Sequence, residues 1–484
     1  MLASNTLRPD LSDRRTRLAL GIAVLGALIA AFVYTIGTGD VRLTVAVAGV
    51  AIAPALLVLA IKRSYLFPYG LYIVLIPFDN MLKISGSGTL TKMLGIVSTL
   101  FIIVYAIRRK GLNQPPLTLY VWCGYVMWLL CSLLWTNDVS TGFTDAEQII
   151  SLVAMYAVLA VAPVEERDVR AVCTCIVLGG IAAAFYGMYL LHQNPVQTAG
   201  EYNRLMINVD DRTIDANHFA NAMLAPIALS LVALLNARKP LMVLGSLFAL
   251  TVLIGGVLMS LSREAMLAIV LIVVVVSLFS KRRVLAAAIG APLLILTPIL
   301  VPSIGVRMSD AFKTGGAGRT GIWEVGWRIF KQHPFFGVGS GGFIDAYNRN
   351  YLHVFQFYNA GWNRPPHNTL LHTAAELGVV GVLFVVTAFA VTFRQFRPIK
   401  RGDSLYDLRV AFTASLLGLA LVSLFIDLLN YKYFWLALTT VAQMRTVVAM
   451  RRRAAPAPVL ANEPVPALPV RRTFLRRRSA PAAP

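Results

Sequence analysis

The sequence Pro365-Pro366-His367-Asn368 stands at the edge of an apolar run that begins at Thr369. Two prolines make the approach to His367 extended and stiff. Asn368 or Thr369 can cap the helix that follows. The imidazole thus falls at the positive end of a helix, whose field disfavours imidazolium and leaves a ring able to accept a proton. That is the chemistry of a general base facing water; a capping or interfacial histidine is the plainer alternative. Arginines supply a second kind of chemistry. Arg263 breaks an apolar hairpin at Ser262-Arg263-Glu264. A cation there costs at least roughly 2.5 kcal/mol at the bilayer centre and less near the surface, so an interior role is the default. A local ion pair with Glu264 is the alternative. Arg319 follows Gly315-Gly316-Ala317-Gly318 and opens an amphipathic stretch, Ile322 to Gln332. Its Trp323, Trp327 and Phe330 share a side at helical spacing and are expected to anchor it on the membrane surface. Arg204 and Arg212 lie in a polar interval, His192 to Asp215, with Asp210 and Asp211 as candidate ion-pair partners. Guanidinium groups grip phosphate bidentately, so arginines beside a neutral histidine suit a lipid-linked pyrophosphate.

His372 and Glu376 are four apart and share a helix face, which predicts a polar pair that orients its neighbours or glues helices together. Asp427 and Lys432 flank a short turn and are expected to pair locally. Gly337-Val-Gly339-Ser-Gly-Gly342 has the spacing of a dinucleotide fingerprint, but no strand precedes it, so it reads as a flexible turn. The carboxylates Asp40, Asp79, Asp138 and Glu201 are scattered, and no metal site or cofactor is expected. Cys173-Thr-Cys175 lacks zinc spacing, and all four cysteines sit in apolar segments as small packing residues.

These residues must be positioned by membrane helices. The chain of 484 residues is 57% hydrophobic and 14% charged, with a mean hydropathy of +0.69. Repeated runs of about 17–25 apolar residues define an all-α polytopic membrane protein of about 12–14 spans. The net charge of +21 could point to nucleic acid, but the basic residues cluster at the ends of apolar runs. The clusters at 62–63, 108–110, 238–239, 281–283, 394–401 and 451–453 fall on alternate connections, which makes those connections cytoplasmic. The expected organisation is a cytoplasmic N-terminus (1–17), a transmembrane bundle (18–301), a large periplasmic loop with amphipathic helices (302–368), closing transmembrane helices (369–450) and a disordered basic cytoplasmic tail (451–484). The tail's arginines would contact anionic lipid. In a bacterium this is the inner membrane, with the site facing the periplasm.

Several motifs resemble the O-antigen ligase and polymerase superfamily. They are Arg319-Thr-Gly-Ile-Trp323, His333-Pro-Phe-Phe-Gly-Val-Gly-Ser-Gly-Gly-Phe343, Pro366-His367-Asn368-Thr-Leu-Leu and Glu376-Leu-Gly378. Upstream, Asp215-Ala-Asn217-His-Phe-Ala-Asn221 and the Ser262-Arg263 break fit the same pattern. The resemblance covers roughly residues 200–390 and implies a metal-independent inverting glycosyltransferase of the GT-C type. The implied donor is a glycan on undecaprenyl pyrophosphate. The implied acceptor is a sugar hydroxyl, on lipid A-core for a ligase or on a growing glycan for a polymerase. By the resemblance His367 is the base, Arg263 and Arg319 hold the pyrophosphate, and Arg204 and Lys83 extend that site. His372 and Glu376 support it. The competing class is a transporter of polysaccharide or lipid-linked glycan, which many spans and intramembrane charges also fit; the sequence shows no internal repeat of the transporter kind.

Overall fold

The computed structural model describes residues 65–84, 88–109, 111–193, 205, 207–209, 212–288, 309, 319–355 and 362–454. Residues 18–64 of the expected transmembrane bundle, Arg204, and the tail from 455 onward lie outside the described residues.

Helix α1 (Tyr69–Leu75) continues as a 3₁₀ turn, Ile76–Leu82, into a small hairpin of β1 (Lys83–Ile84) and β2 (Gly88–Thr89). Then follow α2 (Leu90–Arg108), α3 (Leu117–Ser132), α4 (Val139–Val161) and α5 (Glu166–Gln193). A second antiparallel hairpin, β3 (Ile207–Val209) and β4 (Arg212–Ile214), leads into α6 (Ala216–Ala222) and α7 (Leu224–Asn236). Next come α8 (Pro240–Ser260), α9 (Arg263–Phe279), α10 (Arg319–Gln332) and α11 (Phe343–Asn350). The closing helices are α12 (Thr369–Arg394), α13 (Tyr406–Val422) and α14 (Lys432–Ala454). Among the described residues six helices are long and apolar enough to cross a membrane: α2, α4, α5, α6 with α7, α8 and α12. The chain is an all-α polytopic membrane protein.

The helices pack as a bundle through buried stripes, and the outer ones keep a lipid-like face. In α2, Thr91, Gly95, Ser98, Ile102 and Ala106 are buried, while Ile96, Leu100, Phe101 and Ile107 stay exposed. Small residues on the inner stripe let neighbouring backbones approach, which is how helices associate where lipid is the solvent. Helix α13 sits centrally, packed on α9 and α7; α12 packs on α3, and α14 on α4.

The bundle has two poles. At one, Arg109 faces Glu165 at 3.8 Å, Arg170 pairs with Glu166, and Arg451 pairs with Glu166 and Asp403. Tyr406 donates to the Phe279 carbonyl there at 2.9 Å. Four of the basic clusters therefore border one end. Arg451–Arg453, expected to begin the tail, are the last turn of α14. The opposite end carries the hairpins, the α8–α9 break, α10, α11 and the start of α12.

Helix α10 buries Ile322, Val325 and Ile329 against Phe343, Tyr347, Tyr351 and Ala375 in a small core of its own. Each such side chain contributes roughly 1.5–3 kcal/mol by leaving water. The aromatic stripe is split. Trp327 is half exposed and stacks near Phe330, whereas Trp323 turns inward and donates to the Pro366 carbonyl at 3.2 Å. Trp323 therefore fastens α10 to the segment that carries His367, rather than serving as a surface anchor.

Candidate functional site

His367 follows buried Pro366 and precedes Asn368, whose side chain accepts from the Leu371 amide at 2.9 Å and caps α12. The cap is fixed from behind. Thr369 N–H donates to the Ser423 carbonyl at 2.8 Å. Its hydroxyl donates to the Ile426 carbonyl at 2.8 Å and accepts from the Leu428 amide at 3.0 Å. Held between this cap and the Trp323 bond, His367 adopts φ +46°. A side chain with a Cβ enters that left-handed region only when its surroundings impose it. Burial pushes the imidazole below its usual 6.5, and the Arg319 and Arg364 guanidiniums push the same way, against Asp215 and Asp427. Both effects favour the neutral ring.

Arg319 is the first residue of α10 and lies 17% exposed. Its Nη2 is 3.7 Å from Oε1 of Glu264, which is 5% exposed. This ion pair is too long to be a hydrogen bond, so Glu264 neutralises Arg319 without consuming its donors. Glu264 adjoins half-buried Arg263 at the start of α9. Glu264, the alternative local partner for Arg263, faces Arg319 instead, a contact that draws α10 onto the α8–α9 break. Lys83 lies in β1, and its side chain is outside the described residues, as is the side chain of Arg212.

Below His367, α12 is broken at Gly378, with φ +66° and ψ −166°. Helix interruption frees the carbonyls of the preceding turn, and in a membrane those must find partners. They find them within the chain. The Val338 amide donates to the Ala375 carbonyl and the Gly339 amide to the Glu376 carbonyl, both at 2.9 Å. The Trp128 indole N–H donates to the Leu377 carbonyl at 2.9 Å, and the Val379 amide to the Pro334 carbonyl at 2.8 Å. The glycine run, expected to be a flexible turn, is therefore a tightly seated one. A Cβ on Gly337 would run into the Glu376 backbone, and one on Gly378 into the Phe335 carbonyl.

The break aims Glu376 at the site. Its carboxylate accepts from the Phe343 amide at 3.1 Å, at the start of α11, and lies 3.3 Å from His372 Nε2. Asp427 Oδ2 stands 2.5 Å from His372 Nδ1. Both ring nitrogens face a carboxylate oxygen, the arrangement of an imidazole protonated on both. Burial pushes the Asp427 carboxyl up, but the charge and hydrogen bond of His372 outweigh it and hold it below the ordinary range. The expected His372–Glu376 pair is present and gains a third member. The expected Asp427–Lys432 pair is absent: Lys432 instead donates to Asp79 Oδ1 at 2.5 Å and to Thr91 at 2.8 Å. Lys432 can reach Asp79 because the 3₁₀ turn after α1 lies against the start of α14.

The sequence reading missed His218, although it quoted the motif that contains it. His218 stacks on Tyr431 at 3.7 Å between centroids, and its Nδ1 is 3.3 Å from the Tyr433 hydroxyl. It lies in electrostatic reach of Asp215, Asp427, His367 and Arg319. Arg364, three residues before His367, was also missed and acts on its charge. Among the described residues no three His, Cys, Asp or Glu side chains are grouped to hold a metal ion.

A polytopic helical bundle with a histidine and arginines gathered at one pole is the class of protein these observations define. Residues 248–386 match a family model described as O-Antigen ligase. That stretch is similar to the O-antigen ligase family, whose members are glycosyltransferase-like enzymes acting on lipid-linked glycans. The matched stretch holds Arg263, Arg319, His367, His372 and Glu376. No curated protein matches the chain.

Proposed function

We propose that the protein transfers a glycan from undecaprenyl pyrophosphate to a sugar hydroxyl of lipid A-core, as an O-antigen ligase, at the periplasmic face of a bacterial inner membrane. In this reading His367 takes the proton from the acceptor hydroxyl. The hydroxyl oxygen attacks the anomeric carbon from the face opposite the leaving group. The bond to the pyrophosphate breaks with inversion, and undecaprenyl pyrophosphate departs. Negative charge grows on that diphosphate, and guanidinium donors in a water-poor cleft favour the transition state. Arg319 and Arg263 fill that role, with Arg204 and Lys83 as further cations on the same group. His372, Glu376 and Asp427 fix the start of α12 and so position His367.

The observation that carries the reading is a half-buried His367, its basicity lowered by burial and by Arg319, whose donors Glu264 leaves available. The basic clusters bordering the opposite pole support a periplasmic placement by the positive-inside rule. The interrupted α12 is the feature that would favour a transporter, since such breaks expose carbonyls to a substrate. Here the freed carbonyls are occupied by the 334–339 loop and by Trp128 of α3, which supports the enzyme.

The test uses purified protein in nanodiscs with undecaprenyl-pyrophosphate-linked glycan and lipid A-core, in EDTA and without any gradient. Glycan joined to lipid A-core is the expected product. Glycan extended on the carrier lipid instead would identify a polymerase. No glycosidic product, with vectorial movement in sealed vesicles, would overturn the enzymatic reading.

A further inference from the structure

Beside His218, which lies in electrostatic reach of His367, is a cavity of about 350 Å³ that the proposed chemistry does not use. Asp79, Gln148, His218, Asn430, Tyr431 and Lys432 line it, and Asp427 closes one side. We infer that this cavity binds a neutral sugar ring of the transferred system, gripping its hydroxyls through Asp79 and Asn430. The inference rests on the glycan-transfer reading and deepens it.

Charge decides the class of ligand. Lys432 is the cavity's lysine, and it is bound to Asp79 Oδ1 and the Thr89 and Thr91 hydroxyls. Asp427 is matched by His372. No surplus cation faces the space among the described residues, so a diphosphate gains nothing there; it belongs with Arg319. What the cavity offers is neutral hydrogen bonding. Among the described residues, Asp79 takes Lys432, Thr89 and Thr91 on Oδ1 alone, which leaves Oδ2 as an acceptor. Gln148 bonds the Asn430 carbonyl at 2.7 Å, and the Asn430 carboxamide keeps its own donors and acceptor. Carboxylate and carboxamide side chains match the paired donor and acceptor character of sugar hydroxyls. Tyr431, stacked on His218, adds a rigid aromatic wall of the kind that meets a sugar's C–H face. At about 350 Å³ the space suits a small ligand unit, at the lower end of the roughly 300–1,000 Å³ of ligand sites.

The sugar can come from the acceptor or from the first residue of the donor glycan, and kinetics separates them. Wild type, Asn430→Ala and Asp79→Asn would be assayed in nanodiscs with acceptor varied at saturating donor, then the reverse. Isothermal titration with the free core oligosaccharide and with undecaprenyl pyrophosphate would accompany them. Losing one hydrogen bond should raise one KM by about tenfold or more, with kcat within about threefold and undecaprenyl pyrophosphate affinity unchanged. A raised acceptor KM assigns the cavity to the acceptor, and a raised donor KM assigns it to the donor sugar. Asn430→Gln should restore part of the loss, which a merely structural lesion would not allow. Both KM values unchanged in Asn430→Ala and Asp79→Asn would overturn the inference while glycan transfer stands. If the wild type transferred nothing but bound the oligosaccharide in an Asn430-dependent way, the transfer reading would fail and the sugar site would remain.

Discussion

His367 carries a backbone φ of +46° and a depressed basicity, and both trace to its neighbours. Trp323 holds the residue before it, the residue after it is Asn368, which caps α12, and Arg319 opposes its protonation. A base whose conjugate acid lies below 6.5 loses activity only as pH falls through that lower value. The rate of transfer should therefore be flat at neutral pH and fall in acid. Arg319→Gln removes a cation that lowers the ring, so its acid limb should move to higher pH while the maximal rate drops. Arg319→Lys keeps a point charge without a fork; it should retain the acid limb of wild type and still lose rate. An acid limb that stays put in Arg319→Gln, measured as a full pH–rate profile, would count against direct coupling of the two residues.

At the scale of elements, α12 owes its shape to one glycine. Gly378 is left-handed and leaves no room for a Cβ beside the Phe335 carbonyl, so the loop 334–339 and the broken helix fit only with glycine at that point. Gly378→Ala should destabilise by on the order of 1–3 kcal/mol or more, read as a lower Tm in detergent, and should reduce transfer because Glu376 and His372 shift. Gly245 in α8 has nothing within 4 Å of an added Cβ. Gly245→Ala should be neutral or slightly stabilising, since a helix interior favours alanine by roughly 0.5–1 kcal/mol. Equal Tm values for the two variants would contradict the seated-loop account. Sequence periodicity could place α12 and its capped start, but not this break. The Glu376-Leu-Gly378 motif gave the residue without the geometry, because glycine is permitted in many conformations.

Across the whole molecule, the two poles were legible in the charge pattern and the pairs between elements were not. The helices that read as apolar runs, such as α8 and α12, stand where hydropathy put them. The Ser262-Arg263 break and the His367 cap did likewise, being local in sequence. Local pairing held for His372 with Glu376 and failed for Lys432, which was expected to pair with Asp427. Lys432 reaches Asp79 across 353 residues, and Glu264 chooses Arg319 over its neighbour Arg263. Such choices are set by which helices pack, and hydropathy does not report that. The proposed orientation can be checked in a background lacking the four native cysteines. A cysteine at Asn363 should react with an impermeant maleimide from outside the inner membrane, and one at Gly402 only after permeabilisation. The reverse pattern would put His367 on the cytoplasmic side and end the proposal.

The most direct measurement is single-turnover glycan transfer by His367→Ala against wild type in nanodiscs, with donor binding measured on the same samples. A general base contributes about 10²–10⁴-fold, so the variant should be slowed by at least about 100-fold while its affinity for the donor stays within about threefold. Transfer by His367→Ala at a rate close to that of wild type would contradict the role given to this imidazole.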